Sequence, residues 1–244
     1  MGSIKKELLS GVFYTAIAKY SGILISLIIT GVLARLISPD KFGIVAVVTV
    51  ITFFFSIFSD LGIGAAIIQN KELQQKDLNQ LFSFTVWSGC ILTLLFFLCS
   101  WPISFFYKEP SMRTITQLLA INLFFASANI VPNALLYKAK AFKFLAWRSL
   151  GVQITGGIIA ILAALNGVGL YALIINPILS SILLFIISYR KYPQTLEMTW
   201  GIPSIRKIFK FSAYQFMFNI INYFSRNLDK LLIGKYMGMS PLGY

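Results

Sequence analysis

The feature that most constrains this chain is a series of long stretches without a charged residue. They cover residues 20–34, 42–59, 78–107, 114–137 and 149–189. A helix needs about 20 apolar residues to cross the hydrocarbon core of a bilayer, which is roughly 30 Å thick. The last stretch contains 41 residues. As a helix it would be about 61 Å long, enough for two crossings. The stretches therefore predict several membrane-spanning helices.

Extending these stretches past isolated charges predicts seven spans. Six lie near residues 11–36, 42–68, 78–107, 112–138, 146–166 and 168–189, and an amphipathic seventh lies at about 209–237. The sequence NGVG at residues 166–169 supplies a turn within the longest stretch. The stretches are continuous rather than alternating, which excludes barrel strands. The predicted fold is thus an all-α polytopic membrane protein.

The composition agrees with this fold and excludes a soluble domain. Of the 244 residues, 57% are hydrophobic and 12% are charged, and the mean hydropathy is +0.79. A soluble domain has about a quarter of its residues charged, so lipid must surround much of this chain. Lys5 and Lys6 precede a first span that is too long for the apolar core of a signal peptide, so no cleavable signal is predicted.

The basic residues predict the orientation. With the N-terminus in the cytoplasm, thirteen of the 21 lysine and arginine residues fall inside, three fall within spans, and five fall outside, namely Arg35, Lys41, Lys108, Arg113 and Lys235. This bias follows the positive-inside rule. It also accounts for the net charge of +13. No basic–aromatic binding module is present, so nucleic acid is excluded as a partner.

The sequence offers little for a metal or cofactor. It has no histidine, and its two cysteines, Cys90 and Cys99, lie in the third span. A metal site is therefore not expected, and the cysteines are interpreted as small packing residues. No cofactor is predicted, and a coupling ion, H+ or Na+, is left open.

The chain contains a repeat with an offset of 200 residues. Residues 33–43 read LARLISPDKFG, and residues 233–243 read IGKYMGMSPLG. In both segments an apolar residue and a small residue are followed by a basic residue, and a turn and a glycine come later. The polar residues of the preceding helices share this register, since Thr15, Lys19, Gly22, Ser26 and Thr30 stand 200 residues before Gln215, Asn219, Asn222, Arg226 and Lys230. Each set lies on one helical face.

The repeat predicts two lobes. Six spans separate the copies, and an even number preserves orientation, so the copies should be parallel and related by an axis along the membrane normal. Residues 1–205 would form a six-helix lobe, and residues 206–244 would begin a second lobe with its first helix. We expect the complete protein to have at least twelve spans and more than about 400 residues, with the two lobes superposable.

The repeat segments resemble the motifs of a known family. Residues 33–43, followed by FSDLGIGAAIIQ at 58–69, are similar to the N-terminal motif of bacterial oligosaccharide flippases. The sequence NLDKLLIG at 227–234 is similar to the family's seventh-span motif. The resemblance runs through the whole chain. It points to the polysaccharide transporter branch of the MOP superfamily, the multidrug, oligosaccharidyl-lipid and polysaccharide exporters, and to translocases of the O-antigen or exopolysaccharide type.

The resemblance implies a function. A member of this family would move an undecaprenyl-diphosphate-linked oligosaccharide across the bacterial inner membrane during assembly of surface polysaccharide such as lipopolysaccharide. Two helical lobes would give alternating access to a cavity between them. The implied partners are the lipid-linked oligosaccharide, the bilayer, and polymerase or assembly proteins of the polysaccharide pathway.

Charged residues inside the spans are the candidates for the translocation site. A charge near the middle of a bilayer costs about 3 kcal/mol on insertion scales, so it usually faces a wet cavity or a partner. Lys19 in the first span, with Arg226 and Lys230 in the seventh, could form a ladder of positive charge for a diphosphate. Arginine is the better phosphate fork and lysine the simpler point charge. The other predicted site residues are Asp60, Asp229, Asn219 and Asn222.

A structural interpretation of these charges is left open. Asp60 lies at a depth close to that of Lys19 and could pair with it, and Asp229 could neutralise Arg226 or Lys230. Either pair would hold the helices together without contacting a substrate.

Other polar positions have structural interpretations as well. Asn122, Asn129 and Asn133 of the fourth span suit helix packing as well as contact with a sugar, and Pro132 predicts a kink there. The basic run at 138–148 is predicted to be the anchor on the cytoplasmic side.

Three rival functions are weighed against translocation of a lipid-linked sugar. A multidrug antiporter of the same superfamily should display carboxylates in its spans, but these spans hold two acids and three bases. A sugar polymerase or polyprenyl-linked glycosyltransferase needs large outer loops with catalytic acids. The outer loops here are short and carry Asp40 and Glu109 alone, so an enzyme is not expected. A non-transporting assembly scaffold stays open.

Overall fold

The computed structural model describes residues 2–198 and 200–243, with the side chains of residues 11, 13–198, 200–201 and 204–243. These residues form helices and turns and contain no strand. The helices are α1 (Gly2–Leu36), α2 (Pro39–Asp60), α3 (Ile63–Gln69), α4 (Gln75–Tyr107), α5 (Ser111–Ala128), α6 (Ile130–Lys138), α7 (Phe142–Leu165), α8 (Ala172–Lys191, after a 3-10 turn at Gly169–Tyr171), α9 (Ile202–Tyr236) and α10 (Ser240–Gly243).

Six of the seven predicted spans are long and apolar enough to cross a membrane. Among the described residues, five of them overlap the segments Phe13–Leu36, Pro39–Asp60, Gln75–Tyr107, Phe142–Leu165 and Gly169–Lys191. The sixth is the bent pair α5 and α6. The seventh predicted span is the 35-residue helix α9, which is more polar than the others. The chain is therefore an all-α, multi-pass membrane protein, while the division into lobes at residue 205 stays a prediction.

The second span differs from its prediction as one continuous helix over 42–68. Helix α2 ends at Asp60, Leu61 and Gly62 take left-handed backbone conformations with φ of 44° and 75°, and α3 then begins at Ile63. A β-carbon on Gly62 would lie 2.7 Å from the carbonyl oxygen of Ser212. Glycine is thus needed both for the backbone conformation and for the close approach of α9. The continuous helix was wrong because this contact comes from a segment 150 residues away.

The predicted kink at Pro132 is confirmed. The fourth span bends by 40° between α5 and α6 at Asn129. Proline lacks the N–H that would bond to the carbonyl four residues earlier, and its ring clashes with that carbonyl. The carbonyl belongs to Ala128, the last residue of α5.

Arg148, at the end of the basic run 138–148 predicted as the cytoplasmic anchor, packs between helices. Its side chain is buried, with Nη2 donating to Oδ1 of Asn133 at 2.9 Å and Nη1 donating to the hydroxyl of Ser188. These partners lie on α6 and α8, so Arg148 of α7 links three helices. The sequence did not indicate this packing, because the neutral acceptors around the guanidinium come from two other helices. Asn133 accordingly acts in helix packing.

Four packing contacts position the surfaces described below. Helix α1 packs on α7, α7 on α8, α4 on α5, and α9 on α2. The α1–α7 contact depends on Gly157, where a β-carbon would lie 2.1 Å from Ile29. In the α2–α9 contact, the buried ring of Tyr223 lies against Phe53 and Phe54. Helix α1 is thereby attached to one side of the bundle and α9 to another.

The polar loop before α9 is held along α4. The Glu197 N–H donates to the Ser83 hydroxyl at 2.8 Å, and the Trp87 indole donates to the Glu197 carbonyl at 3.1 Å. In the first turn of α4, Asp77 accepts hydrogen bonds from Ser204 at 2.7 Å and from Lys207 at 2.8 Å. The start of α9 is thus fixed to the start of α4.

Candidate functional site

The two segments of the 200-residue repeat pack against each other. A β-carbon on Gly43 would lie 1.9 Å from the carbonyl oxygen of Met239, and one on Gly243 would lie 1.9 Å from that of Pro39. Met239 stands 200 residues after Pro39, as Gly243 does after Gly43. The same contact is therefore made twice with the roles exchanged, as across a two-fold axis. Glycine at both positions lets the backbones approach this closely.

A large cavity of about 940 Å³ opens between α1 and α9. Helices α2 and α8 and Leu242 of α10 complete its wall. Its polar lining comes from several helices and consists of Ser26, Thr30, Thr49, Asn176, Arg226, Asn227 and Lys230. The polar faces of α1 and α9, which the sequence places in the same register, therefore meet at one cavity.

A small cavity of about 260 Å³ lies between α2 and α9. Its polar lining consists of Ser56, Asp60, Asn219, Asn222, Arg226 and Asn227. Arg226, Asn227 and Phe53 line both cavities. Arg226 therefore stands where the two cavities adjoin.

The predicted site residues fall into two groups. Asp60, Asn219, Asn222, Arg226 and Lys230 line one or both cavities. Lys19 and Asp229 line neither of them. A translocation role for any of the seven stays a prediction, but the structure brings five of them together.

The ion pairs considered as a structural alternative do not form between these side chains. Oδ1 of Asp60 accepts a hydrogen bond from the Gly64 N–H at 3.1 Å, at the break between α2 and α3. Within the part of the chain that the structure describes, no pair within 4.0 Å joins Asp60 to Lys19, or Asp229 to Arg226 or Lys230. Arg226 and Lys230 are thus free of a fixed carboxylate partner among the described residues.

Several cavity residues were absent from the predicted site. Asn176, Thr49 and Ser56 are uncharged polar residues in mainly apolar helices, so sequence reasoning treats them as packing groups. Ser26 and Thr30 were on the predicted polar face of α1 but carry no charge. Asn227 opens the NLDKLLIG motif, which was the one available signal for it.

The combined lining can bind a large polar anion. Arg226 and Lys230 supply two positive charges, and Asn219, Asn222 and Asn227 supply amide donors and acceptors suited to sugar hydroxyls. Among the described residues there is no group of three histidine, cysteine, aspartate or glutamate side chains that could hold a metal ion. The chemistry available here is recognition of charge and hydroxyl groups.

Comparison with known proteins gives a family match. A family model described as polysaccharide biosynthesis protein matches residues 32–244. No solved structure matches the chain.

Three curated relatives resemble the chain over most or all of its length. Teichuronic acid biosynthesis protein TuaB of Bacillus subtilis is 26% identical over 100% of this chain and 51% of its own length. Lipopolysaccharide biosynthesis protein WzxC of Escherichia coli is 25% identical over 99% and 49%. Succinoglycan biosynthesis transport protein ExoT of Rhizobium meliloti is 21% identical over 87% and 43%. The chain spans about half the length of these relatives.

Proposed function

Since the chain belongs to the polysaccharide biosynthesis protein family, we propose that it forms part of a transporter for polysaccharide precursors. Its cargo is an undecaprenyl-diphosphate-linked oligosaccharide, moved across the bacterial inner membrane. The chain supplies the first six-helix lobe and the first helix of the second. One relative, ExoT, is named as a biosynthesis transport protein.

One observation carries the proposal, namely the meeting of the polar faces of α1 and α9 at a cavity that holds Arg226 and Lys230. A diphosphate brings a concentrated negative charge into the membrane, where an unpaired anion is very costly. The two cations offset that charge, and the asparagine amides contact the sugar. Cavities of about 940 and 260 Å³ that adjoin at Arg226 give an extended path rather than a single pocket.

The path opens to each side in turn as two lobes move relative to each other. The reciprocal contact of Gly43 and Gly243 supports a parallel, two-fold arrangement of the lobes. Parallel repeats of this kind place the substrate at the interface between lobes. The contact holds the two lobes together at the N-terminal end of α2.

A multidrug antiporter of the same superfamily is the second candidate. The observation in its favour is Asp60, a carboxylate that lines the small cavity and has no basic side chain within ion-pair distance among the described residues. Such a carboxylate suits an organic cation. Two cations line the cavities against this single acid, which favours an anionic cargo.

We expect the full-length protein to move the lipid-linked sugar across the membrane of vesicles. Purified protein is reconstituted with a fluorescently labelled undecaprenyl-diphosphate oligosaccharide under a proton or sodium gradient. The label should become fully accessible to a membrane-impermeant quencher, whereas protein-free vesicles should keep their inner-leaflet share. Export of an organic cation without movement of the labelled lipid would favour the antiporter instead. Movement of neither would contradict the transport proposal.

We expect the N-terminus to lie in the cytoplasm. In a background with Cys90 and Cys99 replaced by alanine, Asp40→Cys and Pro110→Cys should react with a membrane-impermeant maleimide in intact cells. Lys140→Cys should react only after the membrane is permeabilised. The reason is the excess of basic residues at the opposite end of the helices. Reaction of residue 140 from the outside, with residues 40 and 110 protected, would reverse the orientation.

A further inference from the structure

A groove that takes no part in the proposed path lies where the start of α1 meets the start of α7. Its volume is about 790 Å³. Three lysines, Lys140, Lys143 and Lys191, line it together with the aromatic side chains of Tyr14, Phe144 and Trp147. It lies at the end of the helices that carries the excess of basic residues, so in the proposed orientation it faces the cytoplasmic leaflet.

The lysines are arranged along aromatic walls. The ammonium of Lys143 lies 6.0 Å from the centre of the Tyr14 ring, and that of Lys191 lies 5.9 Å from the Phe144 ring. Contacts of this kind hold a cation near an apolar surface while leaving its donors available. Among the side chains that the structure describes, none in the lining is acidic. The described walls therefore concentrate positive charge without a carboxylate to neutralise it.

The walls also offer apolar surface to a ligand. Trp147 is 66% exposed. The Phe142 ring is seated against α1 because Gly11 has no side chain there, and a β-carbon on Gly11 would lie 2.7 Å from that ring. Exposed tryptophan at the end of a membrane span is typical of the headgroup region of a bilayer. A ligand that fits has an anionic head and an apolar body.

We propose that this groove binds one anionic phospholipid of the adjacent leaflet. The lysines bind the phosphate, and the aromatic side chains contact the glycerol and the first carbons of the acyl chains. Basic pockets between membrane helices on the cytoplasmic side recognise acidic headgroups in this way. The leaflet follows from the proposed orientation, and the lipid site does not depend on what the transporter carries.

Other basic residues at the same end provide a matched control. Lys71 and Lys76 are exposed, stand in or next to the connection between α3 and α4, and line no part of the groove. Removing them lowers the net charge as much as removing Lys143 and Lys191. A general attraction to anionic lipid would respond equally to both changes, whereas a site would respond to one.

The test is native mass spectrometry of the purified protein titrated with phosphatidylglycerol, phosphatidylcholine and soluble glycerol phosphate. The affinity for phosphatidylglycerol should fall about tenfold or more in the double variant Lys143→Gln, Lys191→Gln, since each lysine near the headgroup contributes about fivefold. It should change less than about threefold in the control Lys71→Gln, Lys76→Gln. Phosphatidylcholine should bind more weakly, and glycerol phosphate should not displace the lipid.

Three results would overturn the proposal. Equal affinity for phosphatidylglycerol and phosphatidylcholine would show that the groove does not select an anionic headgroup. Equal loss in the two double variants would indicate general charge attraction only. Displacement by glycerol phosphate would indicate a site for a soluble phosphate ester. If the double variant melts at a lower temperature than the wild type, Lys191→Gln alone, at the exposed last residue of α8, is compared with Lys71→Gln.

Discussion

Replacing Gly43 by valine is expected to abolish most transport while leaving the protein in the membrane. A β-carbon at this position would lie 1.9 Å from the Met239 carbonyl oxygen. Ordinary contact needs about 3.4 Å, so the starts of α2 and α10 would have to move apart by about 1.5 Å. The obstructing atom belongs to the backbone and has no rotamer that relieves the clash. The conformation in which the two segments meet would therefore be lost.

The loss of transport is expected to be large because the two repeat segments would move apart while the protein stays folded. Overpacking of this kind typically costs about 1–3 kcal/mol, which is less than the stability of most folded proteins. The lobes should thus shift rather than unfold, and the variant should accumulate. We expect the transport rate in vesicles to fall at least about tenfold, with Gly243→Val giving the same result by the reciprocal contact.

A matched control is Gly151→Val on α7. This glycine also lies inside a helix, but a β-carbon there would meet nothing within 4 Å. Its transport rate and abundance should stay near those of the wild type. Normal transport by Gly43→Val at normal abundance would show that the contact is not needed for the transport cycle.

The spans were predictable because the signal for them is local. A helix in lipid satisfies its own backbone groups, so an uncharged stretch of sufficient length specifies the element without help from its neighbours. The kink at Pro132 is equally local, since proline removes one hydrogen bond of its own helix. The register of the repeat was also readable, and the reciprocal contact of Gly43 and Gly243 matches it residue for residue.

The features that sequence reasoning missed depend on distant segments. The break at Leu61 and Gly62 accommodates α9, and the burial of Arg148 requires acceptors from α6 and α8. Asp60 takes its hydrogen bond from the new helix start that the break creates. None of these partners lies within one turn of the same uninterrupted helix, so helical periodicity does not indicate these contacts.

The candidate site was predictable in part for a physical reason. A strongly polar side chain in a membrane span must face water or a partner, so Arg226, Lys230, Asn219 and Asn222 could be assigned to an inner surface. Which cavity each one lines depends on the packing of α9 on α2. Lys19 shares the polar face of α1 but does not line the large cavity, which Ser26 and Thr30 line.

Replacing Arg226 by glutamine is expected to produce the other large loss of transport. Arg226 lines both cavities, and no carboxylate lies within ion-pair distance of it in the described structure. Its charge is therefore available to a diphosphate. A charge-assisted hydrogen bond contributes about 1.5–3 kcal/mol, which corresponds to about tenfold to a hundredfold in rate or affinity. Glutamine keeps a polar side chain of similar reach but removes the charge and the fork.

Companion variants separate charge from shape. Arg226→Lys keeps the charge without the fork and should retain an intermediate rate. Arg190→Gln, at an exposed position near the end of α8, removes one charge outside the cavities and should transport normally. Protein abundance and melting temperature should be unchanged in Arg226→Gln, Arg226→Lys and Arg190→Gln. In the described structure Arg226 makes no ion pair whose loss would weaken the fold, and Arg190 is exposed.

The most direct measurement is the rate at which the labelled undecaprenyl-diphosphate oligosaccharide crosses vesicles that contain equal amounts of wild-type protein or Arg226→Gln. Our account predicts that the variant is at least about tenfold slower at normal abundance, while Arg190→Gln matches the wild type. A rate for Arg226→Gln equal to that of the wild type would contradict the role of the α1–α9 cavity in carrying the diphosphate. A loss of rate that only follows a loss of folded protein would contradict it as well, since Arg226 would then be a structural residue.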